Sequence, residues 1–290
     1  MIPVKFKSLD SVDVLYDEMI KNISKKNAAM MDNIDQWCRK ELDRSLEYII
    51  KADYEELENI RARYDNLSLA SNPQYMAYKK FMIETLYKGK FPRKRFVEEL
   101  QVTVCPYCNR NFVNSTYKRT MCDLEHFFDK AKYPIFAVSF YNLIPVCHPC
   151  NHVKASGKIS YSPHNPRYTT DELLIFDYFI TGADFLRDAQ QISIEIDYDQ
   201  AKFGKNVQVL KLNEVYQIHT DLVQECIKKA TIFNKEYLQE LYRTYPELFE
   251  SEEEVYRIVF GNYEKEEDYG KRPLSKLTKD IIQELWEYSG

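Results

Sequence analysis

Cys105-Pro-Tyr-Cys108, Asp123-Leu-Glu-His126, Tyr141-Asn142-Leu143 and Cys147-His-Pro-Cys150-Asn151-His-Val-Lys154 follow one another in a single stretch of this chain. Two C-x-x-C pairs roughly forty residues apart match the spacing of a tetrahedral thiolate site, the preferred geometry of structural zinc. Cys105, Cys108, Cys147 and Cys150 are therefore assigned to Zn2+. A single C-x-x-C can instead serve redox chemistry, but neither pair has the βαβ setting of a thioredoxin-like motif. The other three cysteines, Cys38, Cys122 and Cys226, read as core residues, with Cys122 close enough to be a spare ligand.

The residues between the pairs carry a second chemistry. Hydrolysis of a phosphodiester needs a base to activate water and a divalent ion to stabilise the leaving oxygen. Neighbours on a strand point to opposite faces, so Glu125 can face a metal while His126 faces a water. A neutral imidazole suits a base near pH 7. Asp123 shares the face of Glu125 and can help to ligate or orient. A helix starting at the second cysteine pair supplies Asn151 as a further ligand. Zinc, at about 10–16 kcal/mol for a structural site, staples that helix so that Glu125, His126 and Asn151 converge.

This order of residues resembles the HNH endonuclease family, whose nuclease module has a ββα-metal fold. The likeness covers residues 105 to about 158. It implies His126 as general base, Glu125 as the first ligand of a catalytic Mg2+ or Mn2+, and Asn151 as the last ligand. Asn142 takes the place of the middle Asn, which braces the base-bearing hairpin, and Lys154 that of the lysine in a C-N-x-x-K motif that meets phosphate. Two positions depart from the commoner pattern: Glu125 stands where Asp is usual, and Asn151 where His is commoner. His152 is next to Asn151, as an alternative ligand or a helix-surface residue. The wording His126-Phe-Phe-Asp-Lys130-Ala-Lys132-Tyr133-Pro134 and Tyr141-Asn-Leu-Ile-Pro145 is similar to the HNH proteins of Septu-type and retron-linked anti-phage systems. That likeness implies DNA as substrate and an ABC-type ATPase as partner.

Outward from this centre the chain reads as helical. Apolar residues recur at helical spacing in Val12, Leu15, Met19 and Ile23, and again from Trp37 to Ile50. Asn72-Pro73 starts another helix, ended near Gly89, and Pro92 opens a basic segment to Leu100. Within the centre, Asn111 to His126 reads as a hairpin, residues 127–141 as a long loop and Pro149 to Lys158 as a short helix. Beyond it, residues 160–168 read as a connector and Gln191 to Tyr198 as a strand, with Asn206 to Leu212 as a possible partner. Helices are expected from Asn213 onward, near Glu252–Phe260 and near Pro273–Tyr288. The expected fold class is mainly α with a small α+β centre. Its parts are a helical region over 1–100, the nuclease module over 101–165, and a mostly helical region over 166–290.

Composition sets outer limits. With 44% hydrophobic residues the chain can bury a core, and only 7 glycines in 290 residues argue against glycine-rich nucleotide loops. An odd count of 7 cysteines and an N-terminus without an apolar leader point to a reducing, cytoplasmic setting and no membrane span. The net charge of -5 conceals a local pattern. Lys88, Lys90, Arg93, Lys94, Arg95, Arg110, Lys118, Arg119, Lys130, Lys132, Lys154 and Lys158 gather around the module, whereas an acidic region from Glu247 to Asp268 lies apart from it in sequence. Lys130, Lys132, Lys154 and Arg110 are the candidate phosphate contacts. Tyr133, Tyr141, Tyr161 and Tyr168 read either as base-stacking or as packing residues. His148 reads as a spacer inside the second pair. The rival to a nuclease is a non-catalytic zinc module that binds nucleic acid or protein.

Overall fold

A computed structural model of the protein describes residues 2–21, 23–67, 69, 72–115, 120–155 and 157–287. The chain is mainly helical with two small sheets, as its periodicity implies. It divides into two compact units. The first holds Val4–Val102 and Asn114–Asn151; the second holds the described parts of residues 1–3, 103–113 and 152–290. No helix among the described residues is long and apolar enough to cross a membrane.

The first unit opens with α1 (Ser11–Ile20), α2 (Lys25–Leu42), α3 (Leu46–Lys51) and α4 (Tyr54–Tyr64). The starts of α2, α3 and α4 are set by Ser24, Ser45 and Asp53, whose side chains accept the backbone N–H three residues on. Asn72 caps α5 (Pro73–Lys80) in the same way, and Pro73 occupies the first position, where no N–H is needed. A π-helical segment, Phe81–Tyr87, continues α5, and α6 (Arg93–Leu100) follows. The apolar stripes meet in one core through Leu15, Ile34, Cys38, Leu42, Ile49, Ile50 and Leu57, all fully buried.

Against this helical bed lies a two-stranded antiparallel sheet, β1 (Asp123–His126) and β2 (Leu143–Val146). Its register pairs Asp123 with Val146, Leu124 with Pro145, Glu125 with Ile144 and His126 with Leu143. The expected hairpin over Asn111–His126 is therefore not the arrangement found. Ser115 and Thr120 make only an isolated bridge, and β1 takes its partner from across residues 127–142. The reason is burial: β2 is apolar throughout and fully buried, so it covers β1 better than a polar local turn can. Nor is 127–141 a featureless loop, since Pro134–Phe136 and Phe140–Asn142 form 3-10 turns. Pro145 fits because Leu124 and Pro145 face each other where neither needs a ladder bond. The outward Leu124 carbonyl instead accepts from the Tyr87 hydroxyl at 3.0 Å. Then α7 (His148–Lys154) begins at the second cysteine pair.

The second unit contains α8 (Thr170–Leu173), β3 (Leu174–Ile180), β4 (Ile192–Tyr198), α9 (Gly204–Leu210), α10 (Leu212–Tyr216), α11 (Thr220–Ile232), α12 (Lys235–Thr244), α13 (Glu252–Phe260) and α14 (Ser275–Glu287). The expected strand Gln191–Tyr198 is present as β4, but its partner is β3 and not Asn206–Leu212. The latter stretch is helical over Gly204–Leu210 because Val207 and Leu210 bury one helical face. Asn206, fully buried, also anchors it: Oδ1 accepts from the N–H groups of Ser160 and Tyr161, and Nδ2 donates to the Tyr161 carbonyl. α11 and α14 form the core of this unit through Val223, Cys226, Leu277, Ile281 and Ile282.

Candidate metal centre and catalytic site

The thiol sulfurs of Cys105, Cys108, Cys147 and Cys150 all lie within 4.8 Å of one another, and all four residues are buried. Zinc–thiolate bonds of about 2.3 Å put tetrahedral sulfurs about 3.8 Å apart, so the cluster is placed to bind a metal ion such as zinc. Local backbone shapes each half. After Cys108, Asn109 adopts a left-handed conformation (φ 48°), which Asn tolerates well. This turn lets the Cys105 carbonyl accept from the Asn109 N–H at 2.8 Å and the Cys105 N–H reach the Asn111 carbonyl at 2.8 Å. Cys147 and Cys150 are spaced i, i+3 at the start of α7, so they share a face. The other thiols are unlike them. Burial, above all, pushes Cys38, Cys122 and Cys226 each up to about 12, and none of the three joins the four-cysteine group.

His126 ends β1, and its ring is 4.5 Å from that of Tyr87, edge to face. Nε2 lies 3.0 Å from the Ala137 carbonyl oxygen. A carbonyl only accepts, so Nε2 carries the proton, and Nδ1 of the neutral ring keeps its lone pair. Nδ1 faces the Lys130 ammonium at 3.4 Å. Nδ1 is thus the basic nitrogen of the ring, and the Lys130 ammonium donates toward it.

Asn142 is completely buried and makes three side-chain hydrogen bonds. Oδ1 accepts from the Phe128 N–H at 2.7 Å, while Nδ2 donates to the carbonyls of Phe128 at 3.1 Å and Phe136 at 2.9 Å. The Phe136 carbonyl immediately precedes the one that holds His126. Asn142 thus fixes the turn whose next carbonyl holds His126. Ser139 pins the same turn by donating to the Ile49 carbonyl at 2.9 Å.

The carboxylate that meets α7 is Asp123. Its Oδ2 accepts from Asn151 Nδ2 at 3.0 Å and lies 2.9 Å from His148 Nδ1. Glu125, two residues further along the same face, is buried and close enough to Tyr87 and Lys130 for its charge to act on both. The sequence puts Glu125 first and Asp123 in support; the structure brings Asp123 into contact with Asn151. Asn151 presents Nδ2 to Asp123, and among the described residues the four cysteines are the one group of three or more His, Cys, Asp or Glu placed to hold a metal ion.

The four candidate phosphate contacts separate. Lys130 stands beside His126, with its ammonium 5.5 Å from the Tyr87 ring centre. Burial holds it below the usual lysine value; Asp129 and Glu125 oppose this, and Arg93 and Lys88 reinforce it. Lys132 is committed to Asp65 at 2.8 Å and to the Tyr133 hydroxyl at 2.5 Å. Lys154 is buried at 3% exposure, so it is not the surface cation that its motif implies. Arg110 donates to His219 Nε2 at 2.9 Å within the second unit. Lys118 and Arg119 lie outside the described residues. His152 is exposed on α7. Among the tyrosines, Tyr133 and Tyr161 are buried packing residues, Tyr141 packs on Phe6 at 5.1 Å, and Tyr168 lies under Lys202.

Sequence reasoning missed Tyr87 and the placement of His148, and it named Arg93 only among the basic residues around the module. Tyr87 is remote in sequence from β1 and no local signal marks it; its ring packs on His126 and lies 4.3 Å from the Arg93 guanidinium. His148 was read as a spacer, yet its imidazole is turned onto Asp123.

No protein-family model, curated protein or solved structure matches this chain. What the fold and the cysteines define is a mainly helical protein with two small sheets and a buried four-cysteine cluster placed to bind a metal ion.

Proposed function

We propose that the protein is a metal-dependent endonuclease of the HNH kind that hydrolyses DNA phosphodiester bonds. The observation that carries this reading is the tautomer of His126. Its Nε2–H is spent on the Ala137 carbonyl, so Nδ1 is the atom that accepts a proton from water. The neighbouring Lys130 and Arg93 offer positive charge to the phosphate on which that water acts. Tyr87 keeps the ring upright, and burial raises its own phenol so that it stays neutral. Asp123, Glu125 and Asn151 would hold the Mg2+ or Mn2+, which supplies stabilisation of charge on the leaving oxygen. The four thiolates, with Zn2+, hold the start of α7 in place and take no part in the chemistry.

The test is plasmid cleavage by zinc-loaded protein across a magnesium or manganese titration, beside His126→Ala. Cleavage that needs the divalent ion and falls roughly 10²–10⁴-fold in the variant is expected. Parent-level nicking by a folded His126→Ala protein would sink the assignment. DNA binding with no cleavage at any divalent concentration would favour the non-catalytic zinc module. The likeness to defence-system HNH proteins adds a cytoplasmic, anti-phage role beside an ABC-type ATPase, for which co-purification of that ATPase is the direct check.

A further inference from the structure

The two strands of the second unit leave one of their faces open. Burial alternates along β3 and β4, and Phe176, Ile194 and Ile196 turn inward to the core. Ile175 and Phe179 turn the other way and are 47% and 59% exposed. On that outer face the register sets Asp197 opposite Ile175, Glu195 opposite Asp177 and Ser193 opposite Phe179. α14 packs beside β3, where its Asp280 accepts the Phe176 N–H at 2.9 Å. Between strand and helix is a groove of about 290 Å³ whose walls include Ile175, Asp177, Asp197, Glu284 and Glu287. An apolar stripe on β3 is thus bordered by carboxylates on both sides, from β4 and from α14.

These carboxylates are not balanced from within the chain. Among the described residues, Asp177, Glu195, Asp197, Glu284 and Glu287 form no ion pair. Lys279 also lines the groove, but it is spent on Asp171 at 2.7 Å and on Asp280 at 3.3 Å. Burial, and then the nearby carboxylates of Asp177 and Glu287, raise Glu284 to about 7.

We infer that this face of β3, β4 and α14 docks a basic amphipathic helix of a partner protein. The exposed Ile175 and Phe179 take the apolar side of that helix, and the carboxylates on either side take the lysines or arginines that border it. A helix carries cations along both borders of an apolar stripe, whereas an extended segment presents a single row of side chains to the surface beneath it. Ile175 and Phe179 stand four residues apart, roughly 13 Å along a strand, which is about the length of eight helical residues. A second copy of this face does not fit, because it would set Asp177, Glu195 and Asp197 against their own kind. DNA is refused for the same reason. The inference does not depend on the nuclease reading.

The experiment uses the full chain and, as probe, a labelled synthetic helix with leucines at every third or fourth position and lysines on both borders. One control helix has glutamates in place of the lysines, and the other has serines in place of the leucines. Fluorescence anisotropy should show the parent binding the leucine–lysine helix roughly ten-fold or more above either control. Glu195→Lys with Asp197→Lys, and separately Phe179→Ser, should each weaken that binding roughly five-fold or more with the cooperative melting transition retained, since all three side chains are exposed. Glu247→Lys with Glu250→Lys makes the same change of net charge elsewhere and should alter binding by roughly two-fold at most. Equal weakening by that second pair reduces the effect to net charge and overturns the inference. So does tight binding of the serine helix, full binding by the Glu195 and Asp197 double variant or by Phe179→Ser, or no binding by the parent.

Discussion

The ring of His126 hangs from the carbonyl of Ala137, with Nε2 and oxygen 3.0 Å apart. That contact decides which nitrogen is basic, and it is only as good as the placement of the Ala137 peptide. Asn142 secures the preceding carbonyl, of Phe136, at 2.9 Å, and Ser139 ties the turn to α3. The His126 ring is therefore oriented through a chain of buried hydrogen bonds that ends in the helical core.

Asn142→Ala should uncouple this chain. It would leave the Phe128 N–H and the carbonyls of Phe128 and Phe136 without their side-chain partner. The Phe136 carbonyl keeps the Ser139 N–H, so two buried groups are orphaned at about 1–3 kcal/mol each, and a loss of about 2 kcal/mol or more is expected. Urea denaturation measures it. Asn142→Asp keeps the acceptor for Phe128 but no donor for the two carbonyls; its loss of cleavage should exceed its loss of stability, because the base turns with the peptide.

Cys147→Ser should empty the thiolate site. Zinc per chain, measured by a colorimetric chelator after denaturation, should fall from one toward zero. A structural zinc carries about 10–16 kcal/mol, so α7 should lose its order and the cooperative thermal transition should weaken. Cys122→Ser should change neither zinc content nor, beyond a small packing loss, the melting temperature. Full zinc in the Cys147 variant would contradict the cluster.

Lys130→Ala and Lys132→Ala should part company. Lys130 faces the base, so its loss should weaken DNA binding and lower the slope of log affinity against log salt by about one. Lys132 is spent on Asp65 and Tyr133, so its loss should leave that slope unchanged and lower stability slightly, as an exposed ion pair does. Filter binding across a salt series distinguishes the two.

Glu99 predicts a pH dependence of folding. Burial raises its carboxyl, but hydrogen bonds from Lys7, Ser11 and Arg95 outweigh burial and hold it below the usual glutamate value. A group whose folded pKa is depressed contributes its full stability above the unfolded pKa, about 4.3, and loses it as pH falls through the folded value. The stability gap between parent and Glu99→Gln should therefore be widest above pH 5 and close on acidification below about 4. Equilibrium unfolding at a series of pH values checks the sign.

The sequence by itself picked out the four cysteines that the fold brings together and the helical character on both sides of them, and it singled out His126, Asn142 and Asn151 for their residue types and order. Cysteine spacing and helical periodicity are local properties, and local properties survive in a one-dimensional reading. Tertiary structure alone decided the rest. β1 pairs across an intervening loop because the apolar β2 covers it, so no local hairpin signal can reveal the register. The order of Asp123 and Glu125 at Asn151, and the turning of His148 onto Asp123, depend on how α7 meets β1. Burial separated the lysines: Lys154 is buried and Lys132 is paired, while Lys130 stands at the base. Charge is written in the sequence, but what a charge faces is set by packing.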